Sequence, residues 1–195
     1  MMNHVKDSNE TVEKIAAHFE EIIKLLGEDT SREGLLKTPI RAAKALYKST
    51  KGYRADAIEI AQQAIFEHAG SKMIIVKDIE FYSFCEHHIL PFFGRISIGY
   101  IPNGKMIGLS KLARIVNVYA QRLQVQERLT AEVCQSVAKV LNAKGVIVVC
   151  NAQHLCMKMR GVEKQDSSTT TIDYIGDFES SIDLRNEFFE SLKYS

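Results

Sequence analysis

The stretch "FGRISIGYIPNGK", residues 93–105, carries the clearest β-strand pattern in the chain and decides the fold class. Ile96, Ile98 and Tyr100 alternate with small or polar residues, as in a strand that buries one face. The preceding run "KMIIVKDIEFYSF", residues 72–84, is also rich in β-branched and aromatic residues. The turn signal "PNGK", residues 102–105, predicts a hairpin between residues 92–101 and 105–108.

Downstream of this region the pattern changes to helical and then returns to β. Apolar residues recur at helical spacing in "SKLARIVNVYAQRL" (110–123) and "ERLTAEVCQSVAKVLNAKG" (127–145). The runs "GVIVVCNAQHLCMKMRGV" (145–162) and "SSTTTIDYIG" (167–176) predict two more strands, and "IDLRNEFFESLK" (182–193) predicts a closing helix. The order of strands, helices and strands indicates an α+β fold with an antiparallel sheet.

Upstream, residues 1–70 predict an N-terminal helical region, followed by a catalytic domain over residues 71–195. The first helix is predicted over residues 10–29 and should end near Gly27, and the last of three is predicted over residues 56–68. Between them "KTPIRAAKALYKS", residues 37–49, predicts a helix with Thr38 as N-cap and Pro39 in its first turn.

Composition restricts the partners and the compartment. A net charge of +1 over 195 residues gives no basis for nucleic acid or a membrane surface as the main partner. No run approaches the roughly 20 apolar residues of a membrane span, and the first residues do not resemble a signal peptide. We therefore expect a cytoplasmic protein, in which the four cysteines serve metal binding or catalysis better than disulfides.

The tetrapeptide "CEHH" places Cys85, His87 and His88 together, which suggests a metal site or a catalytic site. Two ligands do not make a zinc site, so partners are needed from elsewhere. If "AQHLCMKMR" continues as a strand, His154 and Cys156 share one face. On the same face would lie the cations Lys158 and Arg160, which otherwise are ordinary solvated charges.

The remaining two cysteines fit this site poorly. Cys150 lies six residues before Cys156, roughly 20 Å away along an extended strand. Cys134 lies beside the apolar stripe of its helix and is most simply a small core residue. The candidates are thus the Cys and His residues of the two motifs. Three ligands and an open position are typical of catalytic zinc, and histidines that do not bind the metal could transfer protons.

Two further clusters suggest an anion site and a base-recognition site. Ser110 is a candidate N-cap, and Lys111 and Arg114 share one face near the same helix N-terminus, where a phosphate could bind. In "QVQERL", residues 124–129, Gln126 and Glu127 precede the next helix. A carboxylate can accept the adjacent N1–H and N2–H₂ donors of guanine, although either cluster alone is also an ordinary helix start.

Together these motifs resemble the type I GTP cyclohydrolase family. "CEHH", "GLSKLARIV", "QVQERL", "HLCMKMRGV" and the "STTT" run occur in the family's order and spacing. The resemblance implies the tunnelling fold, an antiparallel sheet with two helices packed on it, and a homodecamer of two pentameric rings with sites at subunit interfaces.

The resemblance also implies a role for each motif residue. It implies Zn²⁺ on Cys85, His88 and Cys156, and catalytic roles for His87, His154 and Ser110. The residues implied to bind GTP are Ser110, Lys111, Arg114 and Arg160 at the triphosphate, and Gln126 and Glu127 at the guanine.

The reaction implied is conversion of GTP and water to 7,8-dihydroneopterin triphosphate and formate, the first step of pterin- and folate-type biosynthesis. Zinc-bound water would attack guanine C8 while His154 supplies a proton to the ring nitrogen. His87 and Ser110 would assist later proton transfers.

Two other functions compete with this interpretation. Another tunnelling-fold enzyme, acting on a pterin or a deazapurine, would be expected to lack the Cys/His/Cys set or the guanine-binding Glu127, and both are present. A non-catalytic zinc-binding module would require a closed site with four protein ligands.

Overall fold

The computed structural model describes residues 2–161 and 163–193, which form two compact units divided after Lys51. The first unit contains helices α1 (Met2–Leu25) and α2 (Thr38–Ser49), which pack against each other. Gly27 follows α1 with φ +88°, the left-handed conformation that commonly ends a helix. The predicted N-cap is wrong by one residue: Lys37 is the N-cap, and the Thr38 hydroxyl donates to Gly34 O at 3.2 Å.

The second unit begins with a 3-10 helix, Lys51–Arg54, at the boundary and contains all the strands that the structure describes. Its first elements in chain order are α3 (Ala57–Gln62), β1 (Ile65–Glu67), β2 (Ile74–Cys85), β3 (Pro91–Ile101), β4 (Lys105–Ile107) and α4 (Leu109–Ala120). These are followed by β5 (Leu123–Gln124), α5 (Gln126–Leu141), β6 (Gly145–His154), α6 (Leu155–Lys158), β7 (Thr169–Gly176), α7 (Asp177–Ser180) and α8 (Ile182–Lys193).

The main sheet has the order β5-β2-β3-β6-β7, and its four long strands are antiparallel. β5 adds two residues in parallel to the end of β2. The alternation in β3 puts Ile96, Ile98 and Tyr100 into the core that α4 and α5 cover, while Phe178 and Phe188 form a smaller core with Ile101 and Ile147. The predicted α+β architecture, with two helices packed on an antiparallel sheet after an N-terminal helix, is confirmed.

The predicted hairpin between residues 92–101 and 105–108 is wrong. β4 pairs with β1 in a separate two-stranded sheet, in the register Phe66↔Met106. Both edges of β3 are already occupied by β2 and β6, so no edge remains for β4. The predicted helix over residues 56–68 is also shorter. It ends at Gln62, because the residues that follow supply β1, the strand that pairs with β4.

The described helices include none with the length and apolar character needed to cross a membrane. The longest of them, α1, has 24 residues but carries charged side chains along its length.

Gly52 fixes the 3-10 helix against the end of α4 by close backbone contact. Its N–H donates to Gln121 O at 3.0 Å, and a Cβ at this position would lie 2.0 Å from Val118 O. Because both neighbours are backbone atoms, Gly52→Ala should lower the free energy of unfolding by about 3 kcal/mol or more. Urea unfolding of the variant measures the change.

Gly108→Ala is the matched control, since its nearest contact would be Ala64 Cβ at 3.4 Å and its φ is −60°. We expect this variant to change stability by less than about 1 kcal/mol. Equal losses in the two variants would contradict the packing argument for Gly52.

Candidate active site

The first part of the site is the tight turn between β2 and β3. The Cys85 carbonyl accepts hydrogen bonds from the N–H groups of His88 and Ile89 at 3.3 and 2.8 Å, and Cys85 N–H donates to Leu90 O at 2.9 Å. β3 then starts at Pro91, which is opposite Phe84 in the sheet. The turn therefore holds the Cys85 thiol at the strand end with two imidazoles beside it: His87 Nδ1 lies 3.8 Å and His88 Nδ1 lies 3.9 Å from Cys85 Sγ.

The second part comes from the end of β6, where the predicted continuous strand is wrong. β6 ends at His154, and Leu155–Lys158 forms the short helix α6. The reason is the loss of partners: His154 pairs with Phe92 near the start of β3, and β7 reaches only as far as Thr169, opposite Ala152. The strand-face argument for Cys156, Lys158 and Arg160 therefore does not hold, and α6 brings Cys156 to the site instead.

Cys85, His88 and Cys156 form a group that could hold a metal ion. One ligand atom from each lies within 4.8 Å of the other two, and within the described residues this is the group found. A tetrahedral zinc ion with Zn–S of about 2.3 Å and Zn–N of about 2.0 Å separates its ligand atoms by roughly 3.5–3.8 Å, which lies within this limit. Two thiols and one imidazole suit Zn²⁺ and leave one position of the four open.

The other cysteines lie in the core. Cys134 and Cys150 are fully buried, and burial raises the pKa of each to about 12, so neither is poised as a thiolate. At Cys156, burial raises the pKa, and the neighbouring Cys85 raises it further. A bound cation reverses this effect by favouring the thiolates.

His154 is held in one orientation by Phe92 and Gln126. Its ring stacks on Phe92 with 4.7 Å between centroids and an angle of 1° between planes. Its Nε2 lies 2.8 Å from Gln126 Oε1. Burial lowers the pKa of His154, and the carboxylate of Glu127 partly opposes this effect. A neutral imidazole held beside a metal group is suited to proton transfer.

A cavity of about 220 Å³ joins these groups. Its lining includes the three candidate metal ligands together with His87, His154, Gln126, Glu127 and Thr169. Glu127 is exposed in the first turn of α5, whereas the Gln126 side chain is 1% exposed. The described chain thus brings the predicted metal and guanine-binding residues together with two of the three predicted catalytic residues, His87 and His154, but not with Ser110.

Sequence reasoning missed a hydrogen-bond network that connects α5 to the turn between β2 and β3, which carries Cys85 and His88 and is called the metal turn below. The Glu86 carboxylate accepts a hydrogen bond from Arg128, whose Nε donates to Gln124 Oε1 at 2.6 Å. Gln124 Nε2 in turn donates to Glu132 Oε2 at 2.7 Å. The available signal was the position of opposite charges inside two motifs, Glu86 within "CEHH" and Arg128 directly after Glu127.

The predicted anion cluster lies elsewhere in the chain. Ser110 is the second residue of α4 rather than its N-cap, which is Gly108. Lys111 is buried, and its Nζ donates to Gln63 Oε1 at 2.8 Å, while Arg114 is exposed. The 12 residues of α4 span about 18 Å, and it is the far end of α4 that leads into β5 beside Cys85.

None of the predicted triphosphate-binding residues lines the 220 Å³ cavity as the described chain forms it. Arg160 is exposed and lies near enough to Cys156 for its charge to lower the pKa of that thiol.

Comparisons with known proteins identify the family of the chain. The sequence profile described as GTP cyclohydrolase I matches residues 15–193. A protein named GTP cyclohydrolase 1 from Porphyromonas gingivalis is 54% identical over 182 residues, covering 93% of this chain and 94% of the relative. A protein of the same name from Bacteroides thetaiotaomicron is 51% identical, covering 94% of this chain and 93% of the relative. Another, from Alkalilimnicola ehrlichii, is also 51% identical and covers 93% of this chain and 98% of the relative.

Among solved structures, the archaeosine synthase QueF-Like in the apo form overlaps 56% of this chain and 97% of its own, with a TM-score of 0.45 and 18% identity. That similarity is too low to bear on activity. The profile match and the identity over nearly the whole length are decisive, and the chain belongs to the GTP cyclohydrolase I family.

Proposed function

We propose that this protein converts GTP and water to 7,8-dihydroneopterin triphosphate and formate, as the first step of a pterin- or folate-type pathway. The observation that carries the proposal is the single cavity that combines a Cys/His/Cys group with His154 and Glu127. Identity of 50% or more to proteins named GTP cyclohydrolase 1 supports the same reaction. We also propose that residues 71–195 carry the catalytic residues and that the protein is cytoplasmic.

The metal that fits this ligand set is Zn²⁺, held by Cys85, His88 and Cys156. When bound, it would act as a Lewis acid and lower the pKa of a water molecule in its open position to about 7. The chain's own residues then provide binding, orientation and proton transfer.

His154 would give a proton to the guanine ring nitrogen as C8 is attacked, and its position in the lining of the cavity supports this role. Glu127, at the positive end of α5, would accept N1–H and N2–H₂ of guanine and so fix the base. His87 lies next to the group without belonging to it, and with Ser110 it would serve the later proton transfers.

The triphosphate site requires a second copy of the chain in this proposal. Ser110, Lys111 and Arg114 begin α4, about one helix length from the metal turn of the same chain. A neighbouring protomer that presents this cluster, with Arg160 from the first chain, would complete the cation set. A homodecamer of two pentameric rings has this property, and ten chains of 22.0 kDa give about 220 kDa.

Complementation between two defective chains tests the shared site. His154→Ala removes the proton donor from one half, and the double variant Lys111→Ala/Arg114→Ala removes cations from the other half. Co-expressed in equal amounts, they should recover about a quarter of wild-type activity, because about one site in four combines two intact halves. Activity is measured against each variant purified alone.

A light-scattering mass of the co-purified protein is the control for assembly. If both halves lie on the same chain, mixing restores nothing beyond the average of the separate variants, and the shared-site proposal is wrong.

The proposed activity is tested by incubating the zinc-loaded protein with GTP, GDP or ATP and oxidising the products to fluorescent pterins. GTP should give one pterin per molecule consumed. ATP should give none, because adenine lacks the protonated N1 and the 2-amino group. Release of phosphate without pterin would instead indicate a nucleotide phosphatase and would reject the proposal.

A further inference from the structure

The side chain of Gln126 is held in one orientation by two backbone carbonyls. Its Nε2 donates to Cys150 O at 3.0 Å and to Thr169 O at 2.9 Å, so both amide hydrogens are used. The side chain is 1% exposed, and water cannot replace either partner cheaply. The flipped amide would point its carbonyl oxygen at two other carbonyl oxygens, which excludes that orientation.

The fixed amide leaves Oε1 as the only polar atom that Gln126 can offer to His154. That oxygen lies 2.8 Å from His154 Nε2, and an amide oxygen only accepts hydrogen bonds. A neutral His154 must therefore carry its proton on Nε2 to make this contact. Stacking on Phe92 at 4.7 Å holds the ring plane, and turning the ring over within that plane would put the Cε1–H group in place of Nε2 and lose the contact with Gln126.

We propose that Gln126 is a positioning residue that keeps the His154 proton on Nε2 and leaves Nδ1 as the nitrogen that exchanges a proton with substrate. His154 Nδ1 first accepts the proton that a water molecule releases as its oxygen bonds to guanine C8 and the C8–N π bond breaks, which gives the imidazolium. In the transfer that follows, the Nδ1–H bond breaks, an N–H bond forms on the guanine ring nitrogen, and the electron pair stays on Nδ1. The imidazole that remains is the Nε2–H form that Gln126 already binds.

The tautomer follows from the contacts alone, whereas the role of Nδ1 rests on the proposed function. This assignment differs from the guanine-binding role that the family resemblance implies for Gln126. In the described chain its amide group has no hydrogen left for a base, because both hydrogens are bound within the fold. Glu127, which is exposed, remains available to the guanine.

Neutron diffraction of the zinc-loaded, deuterium-exchanged protein tests the tautomer directly. Crystals near pH 8, above the ordinary histidine pKa of about 6.5, contain the neutral ring. The expected map has deuterium on His154 Nε2, directed at Gln126 Oε1, and none on Nδ1. Deuterium on Nδ1 with Nε2 bare would overturn the proposal without reference to activity.

Kinetics of Gln126→Met test the positioning role, because Met has a similar volume and neither amide group. We expect kcat to fall about 10–100-fold, with KM for GTP within about threefold and zinc content unchanged. Thr130→Val is the matched control on the same turn of α5: Thr130 Oγ1 donates to Gln126 O at 2.8 Å and does not line the cavity. We expect its kcat to stay within about threefold.

A rise in KM with kcat unchanged in Gln126→Met would make Gln126 a substrate contact and would overturn the proposal. Equal losses of kcat in Gln126→Met and Thr130→Val would mean that Gln126 has only a structural role, and this result would also overturn the proposal. If Gln126→Met does not fold, the neutron map decides. If the wild-type protein does not turn over GTP, the proposed function fails, while the neutron result still stands or falls by itself.

Discussion

Replacing Cys156 with Ser should remove the metal and lower GTP turnover by a factor on the order of 10³ or more. Only three protein ligands are available in the described site, so loss of one leaves too few to hold the ion. The loss of several kcal/mol of charge stabilisation from the metal sets the scale of the effect. Cys85→Ser and His88→Ser should behave in the same way. Zinc content and turnover are measured on the same preparations.

Cys134→Ser is the control for this series, because it makes the same substitution at a buried thiol outside the site. It should keep its zinc and most of its activity. A Cys156→Ser protein with a full complement of zinc would remove Cys156 from the ligand set and would require a different metal site.

Replacing Glu127 with Gln should reduce GTP turnover heavily while the zinc is retained. The carboxylate is proposed to accept two donors of guanine, and an amide presents one acceptor and a competing donor in their place. Sites built on such hydrogen bonds discriminate by up to about 10⁴–10⁵, because unpaired polar groups bear the desolvation cost. Steady-state kinetics with GTP and ATP measure the change in selectivity.

Glu59→Gln is the matched control, since Glu59 is also an exposed carboxylate in the first turn of a helix. Both variants lose the same favourable interaction with the helix N-terminus, so any difference between their losses of GTP turnover is due to the lost contact with guanine. Arg114→Ala should instead raise KM for GTP, most strongly at low salt, with base selectivity unchanged. Near-normal GTP turnover in Glu127→Gln would reject the guanine-binding role.

The elements that could be predicted from the sequence are those determined by local pattern. The closing helix matches its predicted bounds, Ile182–Lys193, because its apolar spacing is contained in one short stretch. The strand alternation predicted that Ile96 and Ile98 enter the core beneath α4 and α5, but it did not predict that Ser97 and Ile101 on the opposite face are buried as well. The structure also brings Cys85 and His88 of "CEHH" close to Cys156 of "HLCMKMR", although a short helix carries Cys156 instead of the predicted strand face.

What could not be predicted depends on contacts between distant segments. Nothing near "PNGK" indicates that β1 takes the strand that a simple hairpin would have used. The end of β6 at His154 is set by where β3 and β7 stop, and only this brings in α6 and turns Cys156 towards Cys85. Nothing near Gln126 in the sequence indicates that both of its amide hydrogens are bound by Cys150 O and Thr169 O, which lie 24 and 43 residues away.

The separation of the predicted triphosphate-binding residues from the metal group has a functional consequence. One chain contains the candidate metal group and Glu127, the proposed guanine contact, whereas its cation cluster lies at the start of α4, a helix about 18 Å long whose other end leads into β5 beside Cys85. A GTP molecule bound at one end would therefore need a second chain for its triphosphate. Binding and assembly would then be linked, since each neighbour supplies part of the next site.

Carbon-13 NMR of the zinc-loaded protein with GTP labelled at C8 tests the central claim most directly. The proposed reaction removes C8 and no other carbon, so the label should appear in formate, with one formate released for each pterin formed. Cys156→Ser, treated identically, should release none. Labelled GTP that remains intact, or label retained in a purine or pterin product, would contradict the account.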